Sequence, residues 1–220
     1  MHENRHILEK KKSELQQHIL MMAEMASQAI VKAVSCVEEV DLRCAEEVIR
    51  SDKAINHQHS HTESTAVSIL ASQQPVARDL REVVAAMRIS DEIERIADHA
   101  ANIAGIRLKI DGANVGRVGQ IQVREVSDRV VELFEFAMGA YRDTDIEKAR
   151  ATASREEEVD VLAKSFPQQM FKVMKEDPNL VEDGSRMMWI NHNLERIADR
   201  ATNIAEQVIY IVTAQEEDLN

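Results

Sequence analysis

The sequence predicts an all-α protein made of two tandem antiparallel three-helix bundles. Three observations carry that expectation. Strong helix formers dominate, with only 3% aromatic residues, 6 glycines and 3 prolines in 220 residues. Apolar residues recur with the 3.6-residue period of amphipathic helices. The chain also repeats itself, half against half.

The helices are expected near 5–39, 42–72 and 76–109, then 119–142, 145–175 and 179–214. Asp41 is a plausible N-cap for the second, and Thr144 with Glu147 reads as a capping box for the fifth. In the third, Ile93, Ala97, Ala100, Ala104 and Leu108 share one arc. Helices of 30 residues are about 45 Å long, and short connections make successive ones antiparallel neighbours. Pro167 falls inside the fifth helix, where a kink is expected. Between the halves, DGANVGRVGQ (111–120) concentrates glycine and reads as a flexible joint. It lacks the Gly-Lys-Ser/Thr ending of a phosphate loop. The expected domains are therefore 1–110 and 121–220, joined by 111–120.

Charge and targeting signals narrow the function classes. A net charge of −12 argues against nucleic acid, which needs a basic stripe, and suits a protein that concentrates cations. Cys36 and Cys44 form no disulfide framework or CxxC metal site, so a reducing cytosol is expected. MHENRHILEKKK has no apolar signal core, and no apolar run approaches the roughly 18 residues of a spanning helix. Any membrane association is then expected to go through a partner, without direct insertion.

The duplication centres on one motif. IERIADHAANIAG (93–105) and LERIADRATNIAE (194–206) share Glu-Arg-Ile-Ala-Asp followed by Asn-Ile-Ala, at an offset of 101. DLRCAEEVIRSDKAIN (41–56) aligns with DIEKARATASREEEVD (145–160) at an offset of 104. Glu94, Asp98 and Asn102 step by about 40° and form a polar stripe, as do Glu195, Asp199 and Asn203. One helix earlier, Asp52 and Asn56 are four apart, as are Glu156 and Asp160.

Register brings these pairs together. In an antiparallel hairpin, facing residues share one midpoint. Asp52/Asp98 and Asn56/Glu94 are both centred on Pro75, and Glu156/Asp199 and Asp160/Glu195 on the bond before Pro178. With helix axes 8–10 Å apart, four side chains can converge in each half. Converging carboxylates read as a solvated acidic face, a catalytic acid/base pair, or a site for a hard cation. The duplicated height match favours the cation. Nothing resembling a nucleophile or partner base accompanies the acids, so no catalytic residue is assigned. A ferritin-like di-iron site needs two Glu-x-x-His motifs, and only Glu3 with His6 has that spacing.

The remaining candidates read as structural. His57 and His61 share a helical face, with His59 elsewhere. They form either a transition-metal pair or a surface cluster, and the second half has no matching histidines. His99 and His192 read as isolated surface residues, EKKK (9–12) as a solvated face, and Met21, Met22 and Met25 as core filler.

At these residues the chain resembles the PhoU family of phosphate-specific transport accessory proteins. The likeness lies in the doubled Glu-Arg-Ile-Ala-Asp…Asn-Ile-Ala string and in QQPVARDLR (73–81), and it spans the whole chain. It implies a cytoplasmic negative regulator of phosphate uptake and of the phosphate regulon, without enzymatic activity. The implied partners are the ATPase subunit of the phosphate ABC transporter, the phosphate sensor histidine kinase and a second copy of the chain as a homodimer. It also implies metal binding, by Mg, Mn, Zn or Fe, at Asp52, Glu94 and Asp98 in the first half. In the second half the corresponding ligands are Glu156, Asp160, Glu195 and Asp199. Asn56 stands where the family has an acid, and Ala97 and Ala198 where it often has glycine. The alternatives are a metal-dependent phosphohydrolase and a metal-independent helical adaptor.

Overall fold

The computed structural model describes residues 2–118 and 120–219, with side chains from 5 to 118 and from 123 to 219. Glu3 of the rejected di-iron spacing and the end of the 111–120 segment thus lie outside the described side chains. The long helices are α1 (His2–Glu38), α2 (Leu42–Gln73), α3 (Ala77–Arg107), α4 (Gln120–Asp143), α6 (Thr152–Glu176) and α7 (Val181–Thr213), and α5 (Ile146–Arg150) is a short one. Among the described residues there is no strand.

Two three-helix units are present, as the periodicity predicts, and they pack side by side. α3 lies along α7, and α1 along α4, so a single apolar core runs through both halves. The α3–α7 contact is antiparallel in one register: Arg81 bonds to the Ile211 carbonyl, Arg200 to Glu92, and His99 to Asn193. All three pairs share a midpoint at residue 146. Ala97, Ala100 and Ala104 of α3 and Ala198, Ala201 and Ala205 of α7 are buried in the shared core. Elsewhere Ile19, Ile30, Ile89, Phe134 and Phe166 fill the core, each contributing about 1.5–3 kcal/mol by burial. Leu108 of the predicted arc lies at the end of α3 and is exposed.

Helix ends follow local chemistry. Asp41 caps α2 by accepting from the Arg43 and Cys44 amides. The cap of α5 is Asp145, which accepts from the Lys148 amide. This replaces the expected Thr144–Glu147 box, because Thr144 sits at φ 50° in the turn and cannot cap from there. The expected fifth helix is interrupted after Arg150 and resumes at Thr152.

Pro167 does not end α6. It lacks an N–H, so the Ala163 carbonyl four residues back has no intrahelical donor. Asn191 of α7 supplies one, donating from Nδ2 at 3.1 Å in a buried setting.

Several expectations need correction. Cys36 and Cys44 are joined as a disulfide across the α1–α2 turn, which places their Cα atoms 5.5 Å apart. Residues 111–118 are tied down: Val115 and Val118 are buried, Asn114 donates to Asp183, and Arg117 pairs with Asp177. α1 is long and apolar enough to cross a membrane by length and composition, yet Leu15, Ile19, Met22, Ile30 and Val34 on it are core residues. Lys12 is held by Asp79 and Glu82, so that part of 9–12 is no solvated face. Met22 is buried, Met25 packs against the core, and Met21 is exposed.

Candidate metal centre

Charge interactions link the two helices of each hairpin, Asp52 with Asp98 and Glu94 in the first half and Glu156 with Asp199 in the second. In the first half, Asp52 lies on α2, and Glu94 and Asp98 on α3. Burial raises the Asp52 carboxyl above its ordinary range, and the Asp98 charge raises it further. Burial likewise raises Glu94, reinforced by Asp98 and Asp52 and opposed by His59 and Arg95. The three acids are thus close enough to repel one another. Asn56 donates from Nδ2 to Asp52 Oδ2 at 3.0 Å, which partly relieves that carboxylate. The Asp52 Oδ1 and Asn56 Oδ1 atoms are buried with no hydrogen-bond partner. Two acceptor oxygens without a donor are costly in a protein interior.

The second half repeats the geometry with different compensation. Burial raises Glu156, and Asp160 on its own helix and Asp199 across the gap raise it further. Here, however, the protein supplies cations. Lys164 Nζ lies 2.6 Å from Asp160 Oδ2, and Arg196 Nη1 lies 2.7 Å from Asp199 Oδ2. The Lys164 ammonium is raised by that bond first and then by Asp160, Glu156 and Glu195, which places Glu195 within its field. Glu195 also sits 3.5 Å from His192 Nδ1. Both clusters gather acids, but among the described residues only the first has ligand oxygens that are buried with nothing to accept from.

The histidines fall differently from expectation. His99 is no isolated surface residue; it is half-buried against Asn193 at the α3–α7 seam, and burial lowers its pKa. His57 and His61 are both exposed, as a surface cluster would be, and the His61 ring lies against His18 of α1 with centroids 4.9 Å apart and planes tilted by 46°. The α2 histidine aimed at α3 is His59, whose Nε2 is 2.7 Å from Asp91 Oδ1. This pair, too, is centred on Pro75, and the second half has no equivalent of it.

Comparison with known proteins agrees with this architecture. The family model described as the PhoU domain matches twice, at 19–106 and at 123–208. A "Phosphate-specific transport system accessory protein PhoU homolog" of Clostridium acetobutylicum is 30% identical, over 98% of this chain and 99% of its own length. The crystal structure of the phosphate transport system regulatory protein PhoU from Streptococcus pneumoniae superposes with a TM-score of 0.87 at 27% identity, covering 96% of this chain and 99% of the other. PhoU from Pseudomonas aeruginosa gives 0.86, covering 94% and 99%. With both repeats matched and a near-full-length relative at this identity, the chain belongs to the PhoU family.

Proposed function

We propose that this chain is a cytoplasmic negative regulator of phosphate uptake and of the phosphate regulon, acting as a metal-binding helical scaffold. Its partners would be the ATPase subunit of the phosphate ABC transporter and the phosphate sensor histidine kinase, with a second copy of the chain completing a homodimer. The observation that supports metal binding is the first acid cluster, where Asp52, Glu94 and Asp98 repel one another and two oxygens lack donors. Such a donor set suits a hard cation such as Mg²⁺ or Mn²⁺, or iron. Asp52, Glu94 and Asp98, with the Asn56 amide oxygen, would hold it in the first half. Glu156, Asp160, Glu195 and Asp199 would do so in the second, once Lys164 and Arg196 swing aside. A bound cation supplies neutralising charge. The relief of repulsion between α2 and α3, and between α6 and α7, would then fix the spacing of each hairpin. The names of the relatives support the phosphate assignment. No group here resembles a nucleophile with its base, so we assign no reaction. The net charge of −12 further disfavours direct capture of phosphate.

Deletion tests the role. Cells lacking the chain should express phosphate-starvation genes in plentiful phosphate, and the wild-type chain should restore repression. Glu195→Ala with Asp199→Ala should keep the helices, since alanine is the best helix former, and should weaken repression. Full repression by that variant leaves a metal-independent adaptor, a reading favoured in the second half by Lys164 and Arg196. Unchanged gene expression on deletion overturns the role.

A further inference from the structure

One turn beyond the first acid cluster, toward Pro75, the α2–α3 seam carries a set of different chemistry. His59 and Glu63 are four apart on α2 and so share a face, and Asp91 faces them from α3. One ligand atom from each lies within 4.8 Å of the other two. His59 Nε2 lies 2.7 Å from Asp91 Oδ1, with the His59 side chain 20% exposed and Asp91 53% exposed. Two ligands bonded tetrahedrally to one zinc ion at about 2.1 Å are about 3.4 Å apart. The hydrogen-bonded His59–Asp91 pair is closer than that and would have to open to admit the ion, while the 4.8 Å limit keeps Glu63 within reach of the same point.

The second half has no counterpart. At the repeat offsets, His59, Glu63 and Asp91 correspond to Ala163, Pro167 and His192. The set is therefore not carried along by duplication of the paired acids.

We propose that His59, Glu63 and Asp91 form a binding site for an imidazole-favouring transition-metal ion, zinc above all, distinct from the paired-acid clusters. The ligand types separate the two. Imidazole suits Zn²⁺, Cu²⁺, Ni²⁺ and Fe²⁺, whereas Mg²⁺ and Ca²⁺ select oxygen-only sites. The His59 ring binds through the Nε2 lone pair, so its proton sits on Nδ1, and the hydrogen bond to Asp91 is exchanged for two bonds to the ion. Three protein ligands leave a fourth position for water. The two ligand sets adjoin: Glu94 is one turn from Asp91, and its charge interacts with that of His59. An ion held by His59 would thus sit beside the half of the protein in which Asn56 replaces an acid.

The test is titration of the tag-free full-length chain with Co²⁺ and then Zn²⁺, read by visible ligand-field absorption and by the ¹⁵N shifts of the histidine rings. Zn²⁺ should shift the His59 Nε2 resonance. His59→Ala and Asp91→Asn should each weaken binding at this site at least about tenfold. His57→Ala and Asp98→Asn should leave it unchanged. Circular dichroism checks that each variant stays helical. Equal Zn²⁺ affinity in wild type, His59→Ala and Asp91→Asn, or a His59 ring that does not respond to Zn²⁺, overturns the proposal and leaves a plain ion pair. Loss of the signal on Asp98→Asn would overturn it in another way, assigning the ion to the paired acids. The regulatory reading above stands or falls separately, since Mg²⁺ or Mn²⁺ binding at Asp52 and Asp98 does not require His59.

Discussion

Asn191→Ala should destabilise the protein by about 2–4 kcal/mol, and Pro167→Ala should remove half of that cost or more. Asn191 is buried, and its Nδ2 provides the donor for the Ala163 carbonyl that Pro167 leaves without one. Losing that donor strands a buried carbonyl, worth about 1–3 kcal/mol. Truncating the side chain adds a packing loss of about 1 kcal/mol whatever residue stands at 167. With alanine at 167, an N–H returns to the helix and can reach Ala163 itself. Asn191→Ala should then cost only the packing loss. The expected coupling in the double-mutant cycle is therefore the carbonyl contribution, about 1–3 kcal/mol. Pro167→Ala alone should stabilise, because an interior proline costs about 3 kcal/mol relative to alanine and the Asn191 bond offsets only part of that. For a chain of this length each kcal/mol moves the thermal midpoint by about 2–4 °C, so calorimetry or urea titration resolves all four corners. Equal costs of Asn191→Ala in both backgrounds, within about 0.5 kcal/mol, would refute the reasoning. The contact bears on function because it fixes the α6–α7 hairpin that holds Glu156 and Asp160 opposite Asp199 and Glu195.

Other expectations follow from the acid clusters and the seam. Folding raises the Asp52, Glu94 and Glu156 carboxyls, chiefly by burial. Their penalty on the metal-free protein is absent below the ordinary carboxyl range, grows as pH rises through the raised folded values, and is complete above them. Asp52→Asn and Glu156→Gln should therefore raise the urea midpoint at neutral pH and do little near about pH 4; the reverse pattern would contradict the assigned direction. Asn56→Asp should lower metal-free stability, since it replaces the donor to Asp52 with a like charge, and should enlarge the stabilisation produced by added Mn²⁺. An unchanged Mn²⁺ response in differential scanning calorimetry would count against a cation site there. Ala201→Leu should cost about 1–3 kcal/mol by overpacking the core around α7, where Ala201 is fully buried, visible in chemical denaturation.

How far each feature could be read from the sequence depends on how local its cause is. The six long helices were legible because their signals, the 3.6-residue period and the prolines between helices, lie within each helix or at its ends. The facing of Asp52 with Asp98, and of Glu156 with Asp199, was legible because a hairpin's turn fixes its register. The interruption at Ala151 and the cap at Asp145 were missed because the Thr144–Glu147 spacing mimics a capping box. Only the turn's backbone geometry, with Thr144 at positive φ, decides between them. The Asn191–Ala163 bond joins different helices, so Pro167 announced the problem while its remedy lay outside the local pattern. The side-by-side pairing of α3 with α7 had no turn to set its register. Its fixed points are Arg81 with the Ile211 carbonyl, Glu92 with Arg200 and His99 with Asn193, contacts between unlike residues that leave no pattern in either helix alone. His59 is the instructive case. The midpoint at Pro75 that paired Asp52 with Asp98 also pairs His59 with Asp91, so its partner was available from the same rule. No repetition marks it, because a pair confined to one half leaves no echo in the other. The hairpin register carries position without regard to residue type, so it sets the unrepeated His59 opposite Asp91 as firmly as it sets the duplicated acids opposite each other.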